Sequence, residues 1–260
     1  MTNEKYEAWL NGRALSAVSP EIYISSIRYE PPQLTVQTSE AAKRNGLLLE
    51  STKWGAGKVT ISFVMHRMPG HIRQRIIQEA AAWAAAGGVL QISDRLGQQL
   101  HVACFQPPYV ADGCDFRTPM SIVFQAYDRP FWEETQASSL TLPAGTSGSD
   151  YLFVPGNAGN TLCEITVTPG SGNTLNTIGI GCGTTVLNFS DLGATNANPL
   201  KVRYDDRQIM SIKVGSSSAM GKRTAASADD ILMKCGQTNL CSYSANVSVT
   251  ATFSARGLWL

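Results

Sequence analysis

The chain is poor in the residues that most catalytic and metal sites need. Its 260 residues include only three histidines, His66, His71 and His101. Charge is also scarce. Asp, Glu, Lys and Arg make up 16% of the sequence, and 21 basic side chains against 20 acidic ones leave a net charge of +1. That balance argues against a protein built mainly to grip nucleic acid or an acidic membrane. No stretch approaches the roughly 18–20 apolar residues of a membrane span, so no membrane insertion is expected. The opening "MTNEKYEAWLNGR" carries charge within its first five residues and predicts no signal peptide. Six cysteines are scattered along the chain, and free thiols are the expectation for a chain of this length without a secretory signal. The sequons at Asn188 and Asn246 would matter only in the secretory route.

The motifs that carry chemistry are missing too. No Gly-x-Ser-x-Gly elbow and no His-Glu-x-x-His pair occurs. In "HVACF", His101 and Cys104 are three apart, which places them on opposite faces of a strand and excludes a dyad by adjacency. Cys235 and Cys241 have five residues between them, and Cys104 and Cys114 have nine. Neither spacing suits a structural zinc site. "GIGCG", Gly179 to Gly183, is followed by the strand-like "TTVLNF" rather than by a helix N-terminus. It therefore predicts a tight hairpin, not a phosphate loop. The pairs Asp205-Asp206 and Asp229-Asp230 sit at strand ends and read as solvated turn residues, with no recognisable calcium loop around them. No catalytic residue, cofactor or metal is expected.

Strands are abundant. "KVTISFVMH" alternates Val59, Ile61, Phe63 and Met65 with Thr60, Ser62, Val64 and His66, the period of two that separates a buried from a more polar face. "NVSVTATFSAR" does the same with Val247, Val249, Ala251, Phe253 and Ala255. "EIYISSIRYE", "GVLQISD", "QQLHVACF", "LCEITVT", "TTVLNF" and "QIMSIKV" also read as strands between turn residues. One segment breaks the rhythm. "MPGHIRQRIIQEAAAWAAAGG" predicts a helix from about Gly70 to Ala86, with Ile72, Ile76, Ala80 and Trp83 in one apolar stripe, Pro69 at the entry and Gly87-Gly88 at the exit. Such a helix would cover an open face or edge of the first sheet.

Residues 133–150, "EETQASSLTLPAGTSGSD", are polar and carry Pro143, Gly145 and Gly148, the composition of a boundary. The prediction is a mainly β protein: an α+β first domain over residues 1–134 and a β-sandwich over residues 135–260. Just before the boundary, "IVFQAYDRPFWEETQ" sets Asp128, Pro130, Phe131 and Trp132 where a strand should stop. An aromatic binding site, an exposed patch and a seam between domains all fit that pattern. Tyr151, Phe153, Trp259 and Tyr243 are the aromatics able to stack on sugar, which makes a soluble carbohydrate-binding module recognising host glycans the alternative reading.

The order of these features resembles that of the distal tail proteins of long, flexible-tailed phages and prophages. The resemblance rests on "WLNGRAL", on "GKVTISFVMH" followed by "RQRIIQEAAAWAAAGGVLQISDRLGQQLHVACF", and on "MSIVFQAYDRPFW". In the second half it rests on "VPGNAGNTLCEITVT", "ADDILMKCGQTNLC" and "VSVTATFSARGLWL". It covers nearly the whole chain. Here Arg129 interrupts the family's Asp-Pro-aromatic element. The resemblance implies a structural protein, not an enzyme: a tail-tip or baseplate hub whose first domain is a tail-tube-like sheet or barrel with one helix. The second domain would be a galectin-like sandwich, with the last strand staying there or returning to the first domain. It implies a homo-oligomer, a hexameric ring, assembled in the host cytoplasm and carried in the virion. That ring would contact tail-tube and baseplate proteins and pass DNA without binding it specifically. In that frame Asp128, Pro130, Phe131 and Trp132 form a domain seam. Ile72, Ile76, Ala80 and Trp83 form a candidate assembly surface, with intramolecular core as the other reading of the same stripe. The usual galectin sugar-binding set of His, Asn, Arg and Trp is not identifiable.

Overall fold

The computed structural model describes residues 6–40, 47–109, 119–127, 129–205 and 207–260. Two compact units divide the chain, Met1–Glu133 with Leu260, and Glu134–Trp259. The architecture is mainly β with one α-helix among the described residues, the fold class the sequence implies.

The first unit holds β1 (Ala8–Leu10), β2 (Arg13–Ala14), β3 (Ile22–Glu30), β4 (Leu34–Glu40), β5 (Leu47–Trp54), β6 (Gly57–Met65), α1 (Gly70–Ala85), β7 (Gly88–Ile92), β8 (Gln98–Gln106) and β9 (Met120–Ala126). The main sheet runs in the order β2-β1-β7-β8-β9-β6-β3. Its first hairpin turns on Asn11-Gly12, both at positive φ (52° and 79°), the pairing that a two-residue type I′ turn demands. Asn11 also ties this turn to the exit of the helix. Its side chain donates to Gly87 O at 2.8 Å and accepts from Val89 N–H at 2.9 Å. Gly88, at φ 111°, lies under that amide, and a Cβ there would fall 2.2 Å from Asn11 Oδ1. The sequence "WLNGRAL" is thus a turn and a clamp together.

β6 alternates as expected, with Val59, Ile61, Phe63 and Met65 buried. They join Ile122 and Phe124 of β9 and the buried face of α1 in the core. The helix starts after Pro69 and stops at Ala85, because Gly87 takes the left-handed conformation (φ 58°) that ends helices without a Cβ penalty. Trp83 settles the helix on the sheet. Its ring meets Phe124 edge-on at 5.9 Å, and its indole N–H donates to Arg13 O at 3.0 Å.

β4 and β5 form a separate two-stranded sheet and pair only with each other. Sequence reading passed over this hairpin, although Leu34 and Val36 alternate with Thr35 and Gln37. Leu34 and Val36 share a face with Trp54 and Thr52, while Gln37 accepts a hydrogen bond from Ser51 on the other. Leu34 and Val36 are 47% and 49% exposed, so much of the apolar face of this hairpin is open among the described residues.

β10 (Trp132–Glu134) carries the chain into the second unit. There follow β11 (Ser138–Val154), β12 (Asn160–Pro169), β13 (Ile178–Cys182), β14 (Thr185–Phe189), β15 (Leu200–Tyr204), β16 (Met210–Val214), β17 (Ser217–Ser218), β18 (Leu232–Lys234), β19 (Gln237–Ala255) and β20 (Leu258–Trp259). Most of the polar stretch at residues 133–150 is β11, a strand of 17 residues paired along its length with β19. Backbone pairing with β19 runs along the strand, and Leu142, Leu152 and Val154 are its buried side chains. Pro143 and Gly145 sit at its register shifts, where a missing N–H is tolerated. One half of β19 pairs with β13, and the other half with β12. This long ribbon therefore serves both parts of a single apolar core, in which Phe253, Ile165, Leu142 and Leu175 are fully enclosed. "GIGCG" forms the expected hairpin, with Gly183 at φ 59° opening a two-residue turn between Cys182 and Thr185.

Candidate functional site

The seam residues were expected to pack where the second domain departs. Within the first unit, the structure gathers Phe131 and Trp132 into an aromatic cluster. Asp128 lies outside the described residues. Phe131 meets the ring of Trp54, at the base of the β4–β5 hairpin, edge-on at 5.5 Å. Trp132 is buried and meets Tyr29 of β3 edge-on at 5.8 Å. The Arg95 guanidinium lies over both of these rings, 4.8 Å from the centroid of Tyr29 and 5.0 Å from that of Trp132. A cation held against two ring faces is attracted by their quadrupoles, more strongly where water is excluded. Tyr29 Oη donates a hydrogen bond to Asp94. Burial, and then this bond, push the Tyr29 hydroxyl well above the usual tyrosine range. Pro31, Pro32 and Pro130 wall a small cavity of about 130 Å³ beside the cluster. The fixed φ of each proline holds that wall without side-chain bonds. Sequence reading found Phe131 and Trp132 but missed Tyr29, Trp54, Asp94 and Arg95. Those four come from β3, from β5 and from the turn after β7, and no spacing links them.

Next to the cluster, Glu133 is buried, 6% exposed. Arg129 Nη1 lies 3.3 Å from Glu133 Oε1, and His101 Nε2 lies 3.7 Å from Glu133 Oε2. The inserted Arg129 therefore supplies a countercharge to a carboxylate taken out of water. The charged neighbour of His101 among the described residues is this carboxylate. His66 bonds to Tyr23 Oη at 2.8 Å, and His71 is exposed on the helix. Among the described residues no cluster of His, Cys, Asp and Glu is arranged to hold a metal, and no helix is long and apolar enough to cross a membrane.

The helix stripe divides. Ile76, Ala80 and Trp83 are 7%, 0% and 5% exposed and belong to the first unit's own core, whereas Ile72 is 42% exposed. Only Ile72 of the four offers surface to a neighbour. The sugar-stacking candidates divide as well. Tyr151 and Phe153 stand out from β11, 64% and 55% exposed. Tyr243 is buried, with its hydroxyl donating to Pro143 O at 2.7 Å or Val249 O at 3.1 Å. Trp259 is half-buried and donates its indole N–H to Glu134 Oε1 at 2.7 Å. Of the acidic pairs, Asp206 lies outside the described residues, while Asp205 Oδ1 accepts from Arg207 and Ile209 N–H, a turn role.

These features define a class: a mainly β scaffold of two units, with an unpaired hairpin and an aromatic–arginine cluster and without assembled catalytic machinery among its described residues. The crystal structure of SPP1 Dit, described as a paradigm of the hub adsorption apparatus in phages infecting Gram-positive bacteria, has the same fold. It aligns over 96% of this chain and 98% of its own, with a TM-score of 0.70 and 13% identity. A chain of the phage P2 baseplate in its activated conformation with calcium aligns over 97% of each chain, with a TM-score of 0.50 and 6% identity. No family model and no curated protein matches the sequence. At such identities the likeness is one of fold, and it spans both units.

Proposed function

We propose that this protein is a structural hub of the tail tip of a long-tailed phage or prophage. In this reading it forms a ring, a hexamer, that joins the tail tube to the baseplate and adsorption proteins, and DNA passes through its centre. The protein would be assembled in the host cytoplasm, would act as a virion component and would catalyse nothing. The observation that carries the reading is the shared fold with a phage hub adsorption protein over nearly the full length of both chains. Two features of the chain support assembly. The β4–β5 hairpin presents Leu34, Val36 and Trp54 to solvent, and contacts between unlike surfaces either close into rings or grow as fibres. The net charge of +1 suits a channel that must not hold DNA by its phosphates.

Electron microscopy and light scattering of the purified protein test the proposal. The expected result is a ring of uniform size that binds tail-tube protein and shows no tight, salt-sensitive affinity for DNA. A monomer across micromolar concentrations, or tight DNA binding, overturns it. A glycan array on the same sample reports on sugar recognition. Sugar binding by a non-assembling protein returns the carbohydrate-binding reading, with Tyr151 and Phe153 as its stacking pair.

A further inference from the structure

The hub reading makes no use of the thiols in the second unit. All five described cysteines are free, and Cys163, Cys182, Cys235 and Cys241 are buried there. Two of them face each other in register. Cys182, the last residue of β13, is the Cα partner of Cys241 on β19. The neighbouring pair fixes the geometry. Gly183 N–H donates to Leu240 O at 2.9 Å, so the adjacent Cys182–Cys241 position is the non-hydrogen-bonded one. At such sites opposed Cα atoms approach to about 4.5 Å and side chains lie close together. That separation is within the span that a disulfide bridges, roughly 4.4–6.8 Å. Both side chains point to the same interior face, since both residues are fully buried.

We propose that Cys182 and Cys241 are a latent cross-strand disulfide, set by a peroxide-class oxidant, that staples the β13–β14 hairpin to the long strand β19. The thiols of Cys163 and Cys241 both neighbour that of Cys182. The neighbouring Cys182 thiol favours the Cys241 thiolate against the opposing effect of burial, and the Cys241 thiol is lowered from its ordinary value. Cys182 is pushed up by the neighbouring Cys163 and Cys241 thiols and by burial. Cys241 is therefore the attacking sulfur.

The step balances. The Cys241 thiolate attacks one peroxide oxygen, the O–O bond breaks, and with one proton taken up the products are a sulfenic acid and water. The Cys182 sulfur then displaces that hydroxyl, which leaves with the Cys182 proton as a second water. Two thiols are oxidised by two electrons and one peroxide is reduced to two waters. Access is through the strand end. Cys182 abuts the turn at Gly183, and strand ends open locally at lower cost than a sheet centre. Cys163 is the competitor for Cys182, whose thiol it also neighbours, but its register partner on β19 is Ala255, whereas Cys182 is held directly opposite Cys241.

The test is hydrogen peroxide treatment of the folded full chain, followed by alkylation and peptide mass spectrometry without reductant. The expected product is a linked pair of peptides containing Cys182 and Cys241, lighter by two hydrogens. Two of the six thiols should be lost on this account, and the thermal midpoint of the second unit should rise by roughly 5–10 °C, reversed by dithiothreitol. Cys182→Ser should abolish the link and the rise, whereas Cys163→Ser should leave both. A folded wild-type protein that keeps both thiols reduced under peroxide, or a link made instead through Cys163, overturns the proposal. Neither outcome depends on ring assembly, so this inference and the hub reading fail separately.

Discussion

The two units bury different things. The first encloses an apolar sheet-and-helix core, yet beside it lie a buried carboxylate, an arginine held against two rings, and a hairpin with exposed apolar side chains. The interior of the second is almost wholly apolar, and its buried polar side chains are the uncharged Thr161 and Asn239. Buried charge and uncovered apolar surface rarely improve a monomer's stability. Among the described residues the buried charge lies in the first unit, whereas exposed apolar side chains occur in both, Tyr151 and Phe153 among them in the second.

The sharpest way to break this contrast is to empty each core in turn. Phe253→Ala removes a fully buried ring from the second unit and should cost about 3–5 kcal/mol. Calorimetry should show the loss in one transition while the other stays put. Phe124→Ala should do the reverse, because Phe124 supports Trp83 in the first unit. A common shift of both transitions by either variant would mean that the units do not melt separately. Removing the buried countercharge comes next. Arg129→Met leaves Glu133 unpaired on one side and should destabilise the first unit by about 3 kcal/mol. Denaturant unfolding checks this, and the double variant with Glu133→Gln should recover part of the loss.

A smaller effect separates the second unit's polar interior from the first's. The Asn239 side chain closes the β18–β19 turn, accepting from Lys234 N–H at 2.8 Å and donating to Lys234 O at 3.0 Å and Gln237 O at 3.1 Å. Asn239→Ala strands these backbone groups and should cost about 1–3 kcal/mol, read as a lower midpoint of the second unit alone. Alkali provides a further comparison. Burial holds the Tyr204 hydroxyl up at about 12 in the folded state, against about 10 unfolded. The folded form therefore binds its proton more tightly. Its contribution is complete below pH 10 and is lost as pH rises through about 12. Tyr29 is shifted in the same direction, so ultraviolet titration should find delayed phenolate formation in both units. The smallest effect should come from the exposed Arg75–Glu79 pair on the helix, 2.9 Å apart. Glu79→Gln should change stability by about 0.3–0.5 kcal/mol, near the limit of measurement.

Local pattern alone determined a great deal. The period of two in "KVTISFVMH" and "NVSVTATFSAR", the helix between Pro69 and Gly87, and the glycine hairpin at Gly183 are set by side-chain alternation and backbone chirality, which act over a few residues. Tertiary structure decided the rest. It turned a polar Pro/Gly/Ser stretch into the long strand β11, because pairing with β19, about a hundred residues later, satisfies its backbone. It sent Ile76, Ala80 and Trp83 into the core and left Ile72 outside, since both positions belong to one stripe and only the packed sheet says where that stripe ends. It brought Tyr29, Arg95 and Trp132 together, and it set Cys182 opposite Cys241. Contacts between residues distant in sequence leave no periodic trace, because their spacing along the chain is set by the loops between them and not by the geometry of any one element.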